Sequence, residues 1–250
     1  MRAYNLGFIA DTDLFNHVKE TVNKYRFSID LNKFNKNLID PIKLTFDSKV
    51  YHKSIEEVVE AEIIRQMDKS NTNHIGYFHQ NIFKYMNSEW EVPKKGFDLI
   101  NETEKIYVEM KNKHNTMNSA SSQKTYMKMQ STLLKNADNR CFLVEIIAKH
   151  SQNTPWKVSI DGDSHEHDFI RRISIDKFYE LVTGETEAFK DLCEVLPKVI
   201  EDVLEEIETQ NMENSVLEEL SGVSPDILKS LYLLSFNKYE GFNHFNFEVE

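Results

Sequence analysis

The sequence predicts an α/β fold of the α+β kind, a mixed central β-sheet flanked by helices with helical N- and C-terminal extensions. Three observations predict it. The first eighty or so residues keep a helical period. Residues 97–110 then change to short strand-like runs around a polar turn. A helix, an almost wholly apolar run and further helices complete the chain.

Taken in order, Asp11 to Asn23 places Phe15, Val18 and Val22 three and four residues apart, with Asp11 or Asp13 as the cap. Ser54 opens a clearer helix to about Asp68, because Ser54 and Glu57 form a capping box ahead of the stripe Ile55, Val58, Val59 and Ile63. Asn73 to Met86 reads as a further helix, with Ile75, Phe78 and Ile82 on one face. Phe97 to Ile100 and Ile106 to Met110 are strand-like, joined by the polar Asn101-Glu102-Thr103-Glu104, so a hairpin is expected. Ser121 to Lys135 returns to helical period through Tyr126, Met129 and Leu133. Cys141 to Ile147 suits a buried strand. Weaker strands at 156–160 and 170–175 bracket a polar loop at 161–168. Residues 178–181 and 187–207 are helical, and Ser224-Pro225-Asp226 opens a last helix to about Phe236. The expected organisation is a single domain, 1–250: a helical extension over 1–53, a core over 54–207 and an acidic extension over 208–250.

Composition bounds the function. With 40% hydrophobic residues the chain can bury a sizeable core, and its mean hydropathy of -0.53 is that of a soluble protein. No apolar run approaches the length of a membrane span. Asp11 and Asp13 follow soon after the start, with no apolar segment of the secretory kind, and the two cysteines, Cys141 and Cys193, form no metal or disulfide framework. A cytoplasmic protein without a membrane partner is expected. The net charge of -11 argues against a polyanionic partner until its distribution is considered. Residues 201–250 hold twelve acids against two lysines, whereas residues 94–135 hold eight lysines against four acids. A local basic surface beside an acidic tail is compatible with DNA binding.

The residues that carry chemistry lie in that basic window. Asp98 and Glu109 end neighbouring strands of the predicted hairpin and can converge on one hard cation, for which oxygen ligands are the natural donors. Lys111 follows Glu109 by two residues, so in a strand both side chains share a face. A cation-activated water, with a lysine to position it and to stabilise the developing charge, is a sound phosphodiesterase design. A lone Glu-x-Lys is common, and Asp47-Ser48-Lys49 is a second acid-x-lysine in this chain. Glu109 is set apart by the apolar strand before it and the acid on the preceding strand. The segment after it is polar and almost free of acids: Lys113, His114, Asn115, Asn118, Ser119, Ser121, Ser122 and Lys124 are types that contact phosphates and base edges. Lys124, Lys128 and Lys135 recur at spacings of four and seven, giving one helix face able to track a DNA backbone.

The stretch Gly96-Phe97-Asp98-Leu99, then Glu109-Met110-Lys111-Asn112-Lys113-His114-Asn115-Thr116-Met117-Asn118 and Gln123-Lys124-Thr125-Tyr126, resembles a small family of type II restriction endonucleases within the PD-(D/E)XK superfamily. These cut GGNCC-type sites. Asn73 to Gln80 and Phe178 to Gly184 also look like that family, so the resemblance spans roughly residues 55–205. Phe97 stands where the superfamily name has a proline. The resemblance implies a restriction-endonuclease-like core, a Mg²⁺ cofactor held by Asp98 and Glu109, and Lys111 as the catalytic lysine. It implies 5′-phosphate products, double-stranded DNA as substrate and a homodimer, because a two-fold DNA site is read by a two-fold protein. A cognate DNA methyltransferase is the expected functional partner.

Glu62, on the apolar stripe of its helix, is a candidate accessory metal ligand, since a buried acid is costly unless paired or metal-bound. The alternative is a boundary residue bonded to Arg65, Gln66 or a lysine. His165, Glu166 and His167, with Arg171 and Arg172 downstream, read as a solvent loop before a DNA contact. His79 and Gln80 either line the site or cap a core helix, and Trp156 reads as core. Rival functions are another nuclease of the superfamily (a repair nuclease or junction resolvase), a DNA-binding module without catalysis, and an acidic interaction protein working through its tail.

Overall fold

A computed structural model describes residues 3–86, 89–114, 116–207, 213–239, 242 and 245. Its first third holds α1 (Asp11–Asn23), β1 (Ser28–Ile29), α2 (Leu31–Asn35), α3 (Pro41–Tyr51) and α4 (Ile55–Asn81). Then come α5 (Phe83–Met86), β2 (Leu99–Asn101), β3 (Ile106–Lys113), α6 (Ser119–Lys135) and β4 (Arg140–Ile147). The last part contains β5 (Asn153–Pro155), β6 (Val158–Ile160), β7 (Asp163–His165), β8 (Ile170–Ser174), α7 (Ile175–Thr183) and α8 (Ala188–Leu204). It ends with β9 (Glu213–Asn214), α9 (Val216–Val223) and α10 (Ile227–Phe236). The chain forms two compact units, Met1–Asn23 with His74–Glu208, and Lys24–Asn73 with Thr209–Glu250. The sequence expectation is instead one domain over 1–250, with an N-terminal extension ending at 53 and a C-terminal one starting at 208.

The first unit is built on a five-stranded sheet of order β2-β3-β4-β8-β5. The β2–β3 hairpin and the β5–β8 edge are antiparallel, while β3–β4 and β4–β8 are parallel, so the sheet is mixed. A parallel pair needs a crossover, and α6 supplies it between β3 and β4. The strand alternation divides the apolar residues between two layers. Cys141, Leu143 and Ile170 pack in one cluster with Tyr126 and Met129 of α6 and with Trp156. Val108, Met110, Phe142, Val144 and Ile173 face the other way, in a cluster with Phe178 and Tyr179 of α7, Leu14 and Val18 of α1, and Leu192 and Val199 of α8. Each fully buried large apolar side chain contributes about 1.5–3 kcal/mol, so these layers hold the hairpin rigidly in place.

The second unit is helical. Ile29, Phe34, Leu44, Val58, Val59 and Ile63 share a core with Val216, Leu220, Ile227 and Leu231. The capping box is formed: the Ser54 amide donates to Glu57 Oε2 at 2.8 Å and the Glu57 amide to Ser54 Oγ at 3.2 Å. β1 pairs in parallel with β9, Ser28 against Glu213.

Several elements differ from the sequence expectation. The two helices read at 54–68 and 73–86 are one continuous α4 followed by the short α5. The helices α2 and α3 carry no amphipathic signature that the sequence reading detected. The strand expected over 156–160 is interrupted at the buried Trp156, and β7 forms inside the stretch read as loop. The last helix is capped by Asp226, whose side chain accepts from the Lys229 amide at 3.1 Å, with Ser224 bonded to the Asp226 amide before it.

Candidate active site

Asp98 precedes β2 and already belongs to the hairpin ladder, its amide donating to the Val108 carbonyl at 2.9 Å. Gly96, two residues earlier, has φ +102, a left-handed backbone that turns the chain into the strand and that a side chain would strain. The Asp98 carboxylate accepts the Met110 amide through Oδ2 at 2.8 Å. One hairpin thus ties the first acid to the backbone beside the second. Glu109 is buried at 8% exposure in the middle of β3. Its Oε2 faces Lys111 Nζ at 3.4 Å, as expected of residues two apart in a strand. Its Oε1 accepts from Lys128 Nζ, which reaches across from α6. Lys128 Nζ also donates to the Gly96 carbonyl at 2.8 Å and lies 4.1 Å from the centroid of the Phe97 ring.

The electrostatics are those of two acids sharing a partly buried site. Burial pushes the Asp98 carboxyl above its ordinary value, and the neighbouring Glu109 charge adds to the rise. The Met110 amide and the charges of Lys111 and Lys128 act in the opposite direction. Among the described residues no group of three or more His, Cys, Asp or Glu is placed to hold a metal. Asp98 and Glu109 nevertheless suit Mg²⁺, a hard ion held by one or two carboxylates, with waters and substrate phosphate completing its shell.

Glu62, the accessory candidate, belongs to the second unit. Its carboxylate accepts Arg65 Nε and Nη2, both at 2.6 Å, and Gln66 Nε2 at 3.0 Å, which draw its carboxyl below the ordinary value despite burial. Its charge is satisfied there without a metal.

The polar segment after β3 is built as follows. Lys113 ends the strand with its side chain exposed, and the His114 amide extends the ladder to Ile147 O at 2.9 Å. Asn115 lies outside the described residues. Asn118 caps α6, accepting the Ser121 amide at 2.8 Å. Ser119, Ser121 and Lys124 are exposed and Ser122 is half-buried on the first turns of α6. The lysines of α6 therefore do not act alike: Lys124 and Lys135 are exposed, whereas Lys128 points to the carboxylates.

Sequence reasoning missed a second charged cluster on the same sheet face. Register places Lys111 beside Glu145 and Ser174, and Glu109 in line with Leu143 and Arg172. Glu145, 1% exposed, accepts Arg172 Nε at 3.0 Å and Nη2 at 2.6 Å on Oε1. His114 Nδ1 lies 2.9 Å from its Oε2. The signal was available: an acid inside the apolar run Cys141 to Ile147 has to find partners. His165 and Glu166 sit on the β6–β7 side, where Glu166 lies 3.7 Å from Lys157. His79 is half-buried, and desolvation of its ring with the nearby His17 charge lowers its pKa to about 4.

The mixed sheet with its flanking helices is a restriction-endonuclease-like fold. The family model of the Eco47II restriction endonuclease matches residues 6–205. The chain is 34% identical over 212 residues to the type II restriction enzyme Sau96I of Staphylococcus aureus, covering 80% of this chain and 81% of that one. It is 32% identical over 213 residues to the type II restriction enzyme Eco47II of Escherichia coli, covering 80% and 89%. The chain belongs to the Eco47II restriction endonuclease family, and is a type II, site-specific endonuclease whose substrate is double-stranded DNA. Enzymes of this type use divalent metal ions. Among the described residues no helix is long and apolar enough to cross a membrane.

Proposed function

We propose that the enzyme hydrolyses DNA phosphodiesters with Mg²⁺ held by Asp98 and Glu109 and with Lys111 as the catalytic lysine. The observation that carries this reading is the convergence of the three on one hairpin, with Asp98 locked to the Met110 amide and Lys111 beside Glu109. When bound, Mg²⁺ acidifies water and offsets the charge of the scissile phosphate. The Met110 amide orients Asp98. Lys111 positions the attacking water and stabilises the negative charge that develops, in a partly buried site that strengthens both effects. The products carry 5′ phosphates. Lys113, His114, Asn115, Asn118, Ser119, Ser121, Ser122 and Lys124 contact the DNA. Glu62 is not among the metal ligands of this reading, its carboxylate being bonded to Arg65 and Gln66.

The resemblance to GGNCC-cutting enzymes supports a palindrome of that kind, read by a homodimer in the cytoplasm of a cell that carries a protecting methyltransferase. The test is incubation of the purified protein with unmethylated phage DNA, with Mg²⁺ and with EDTA, beside Glu109→Ala. Discrete fragments that need Mg²⁺ and vanish in the variant are expected, and sequencing their ends gives the site. Structure-dependent nicking without discrete fragments would replace restriction with repair or junction resolution.

A further inference from the structure

We infer that Lys128 is a positioning residue that holds Glu109 in the DNA-free enzyme and competes with the divalent cation for its carboxylate. An ordinary solvated helix lysine has no fixed place for its ammonium. Here Nζ is held by Glu109 Oε1, by the Gly96 carbonyl at 2.8 Å, and by the Phe97 ring at 4.1 Å. The lysine thereby clamps α6 to the turn before β2 and to the centre of β3. Its side chain keeps 34% of its exposure, and a cleft of about 640 Å³ lined by Gly96, Phe97, Tyr107, Lys128 and Lys135 opens beside it, so ions and phosphates can reach it.

The charge count gives the clamp a consequence. With all four groups ionised, Asp98, Glu109, Lys111 and Lys128 cancel. A divalent cation arriving alone leaves the half-buried site at +2, which low dielectric penalises. A phosphate arriving with it offsets part of that excess, so cation and DNA favour each other's binding. Lys128 sets this balance: without its charge the four-residue site stands at −1, and the cation alone binds better.

This inference rests on Asp98 and Glu109 being the metal ligands. The test is titration of Mn²⁺ into the full-length, DNA-free protein, with free Mn²⁺ read from its electron paramagnetic resonance signal and folding checked by circular dichroism. Lys128→Met keeps the apolar stem against Phe97 and is expected to tighten Mn²⁺ binding about two- to fivefold, the effect of removing a partly exposed ion pair. Lys128→Arg is expected to restore the wild-type affinity, and Glu109→Ala to weaken binding at least tenfold. Unchanged or weaker Mn²⁺ binding in Lys128→Met, with Glu109→Ala impaired, overturns the role of Lys128 alone. Wild-type binding in Glu109→Ala overturns the metal assignment and this inference together.

Discussion

Replacing Glu145 with alanine removes the acceptor shared by Arg172 and His114. Glu145 is 1% exposed, and the side chains of Arg172 and His114 are 22% and 18% exposed. Removing one partner of a buried ion pair costs about 3–5 kcal/mol, because the other charge is left desolvated. Water can still reach part of the guanidinium, so the expected loss is about 2–4 kcal/mol. Glu145→Gln keeps a carbonyl oxygen for Arg172 but loses the charge, and is expected to cost about 1–2 kcal/mol. Urea denaturation followed by tryptophan fluorescence suits the measurement, since Trp90 and Trp156 are both buried in the unit that holds this cluster. The midpoint should fall in the order wild type, Glu145→Gln, Glu145→Ala, at unchanged slope. Arg172→Ala in the Glu145→Ala background should cost far less than in the wild type, with a coupling of roughly 1–3 kcal/mol. A loss below about 1 kcal/mol for Glu145→Ala, or additive behaviour of the two variants, would refute the claim that this carboxylate organises the sheet end beside Lys111.

Lys111→Ala should lower kcat about 10²–10³-fold in single-turnover cleavage while the protein stays folded. Asp98→Asn should abolish cleavage yet stabilise the metal-free protein. The Asp98 carboxyl is raised in the fold, so its ionised form is destabilising: stability is greatest below the ordinary carboxylate range and is lost as pH rises through the raised value. Mn²⁺ affinity of the wild type should therefore weaken on acidification before an unperturbed aspartate would titrate. His79 works in the other direction, for it is a base lowered from 6.5 to about 4. Its neutral form stabilises the fold fully above pH 6.5, and that contribution declines as pH falls from 6.5 to about 4. Denaturation curves of His79→Phe should show a shallower pH dependence across that window. Ser54→Ala should cost about 1 kcal/mol by opening the capping box.

The geometry of the candidate hairpin was legible because its information is local. Asp98, Glu109 and Lys111 sit within fourteen residues, and strand alternation alone places the last two on one face. The Glu145 cluster was illegible because it depends on the parallel pairing of β3, β4 and β8, strands joined by long crossovers whose register no local pattern states. Lys128 was half legible for a related reason: its spacing from Lys124 and Lys135 describes a helix face, and the buried Glu109 across from α6 adds where the ammonium goes. The continuous α4 was read as two helices because Ser70-Asn71-Thr72-Asn73 are cap-forming types. In the fold, Asn71 directs its side-chain oxygen to the Arg26 amide at 2.9 Å instead of ending the helix. Helix α3 escaped notice because Ile42, Phe46 and Val50 form an exposed apolar stripe, the reverse of the usual pattern.

The second unit is assembled from residues 24–73 and 209–250, with Phe34, Val59 and Ile63 completing their core only against Val216, Leu220 and Leu231. On the ribosome these halves are made more than a hundred residues apart. The earlier half must wait, its apolar face uncovered, while residues 74–208, which carry the sheet, are synthesised between them. Closure of so long a loop makes this the late and slow event of biogenesis. Ribosomes stalled before residue 209 should thus display a folded sheet unit beside a protease-sensitive segment at 24–73. Val216, Leu220, Ile227 and Leu231 are the side chains that end that exposure.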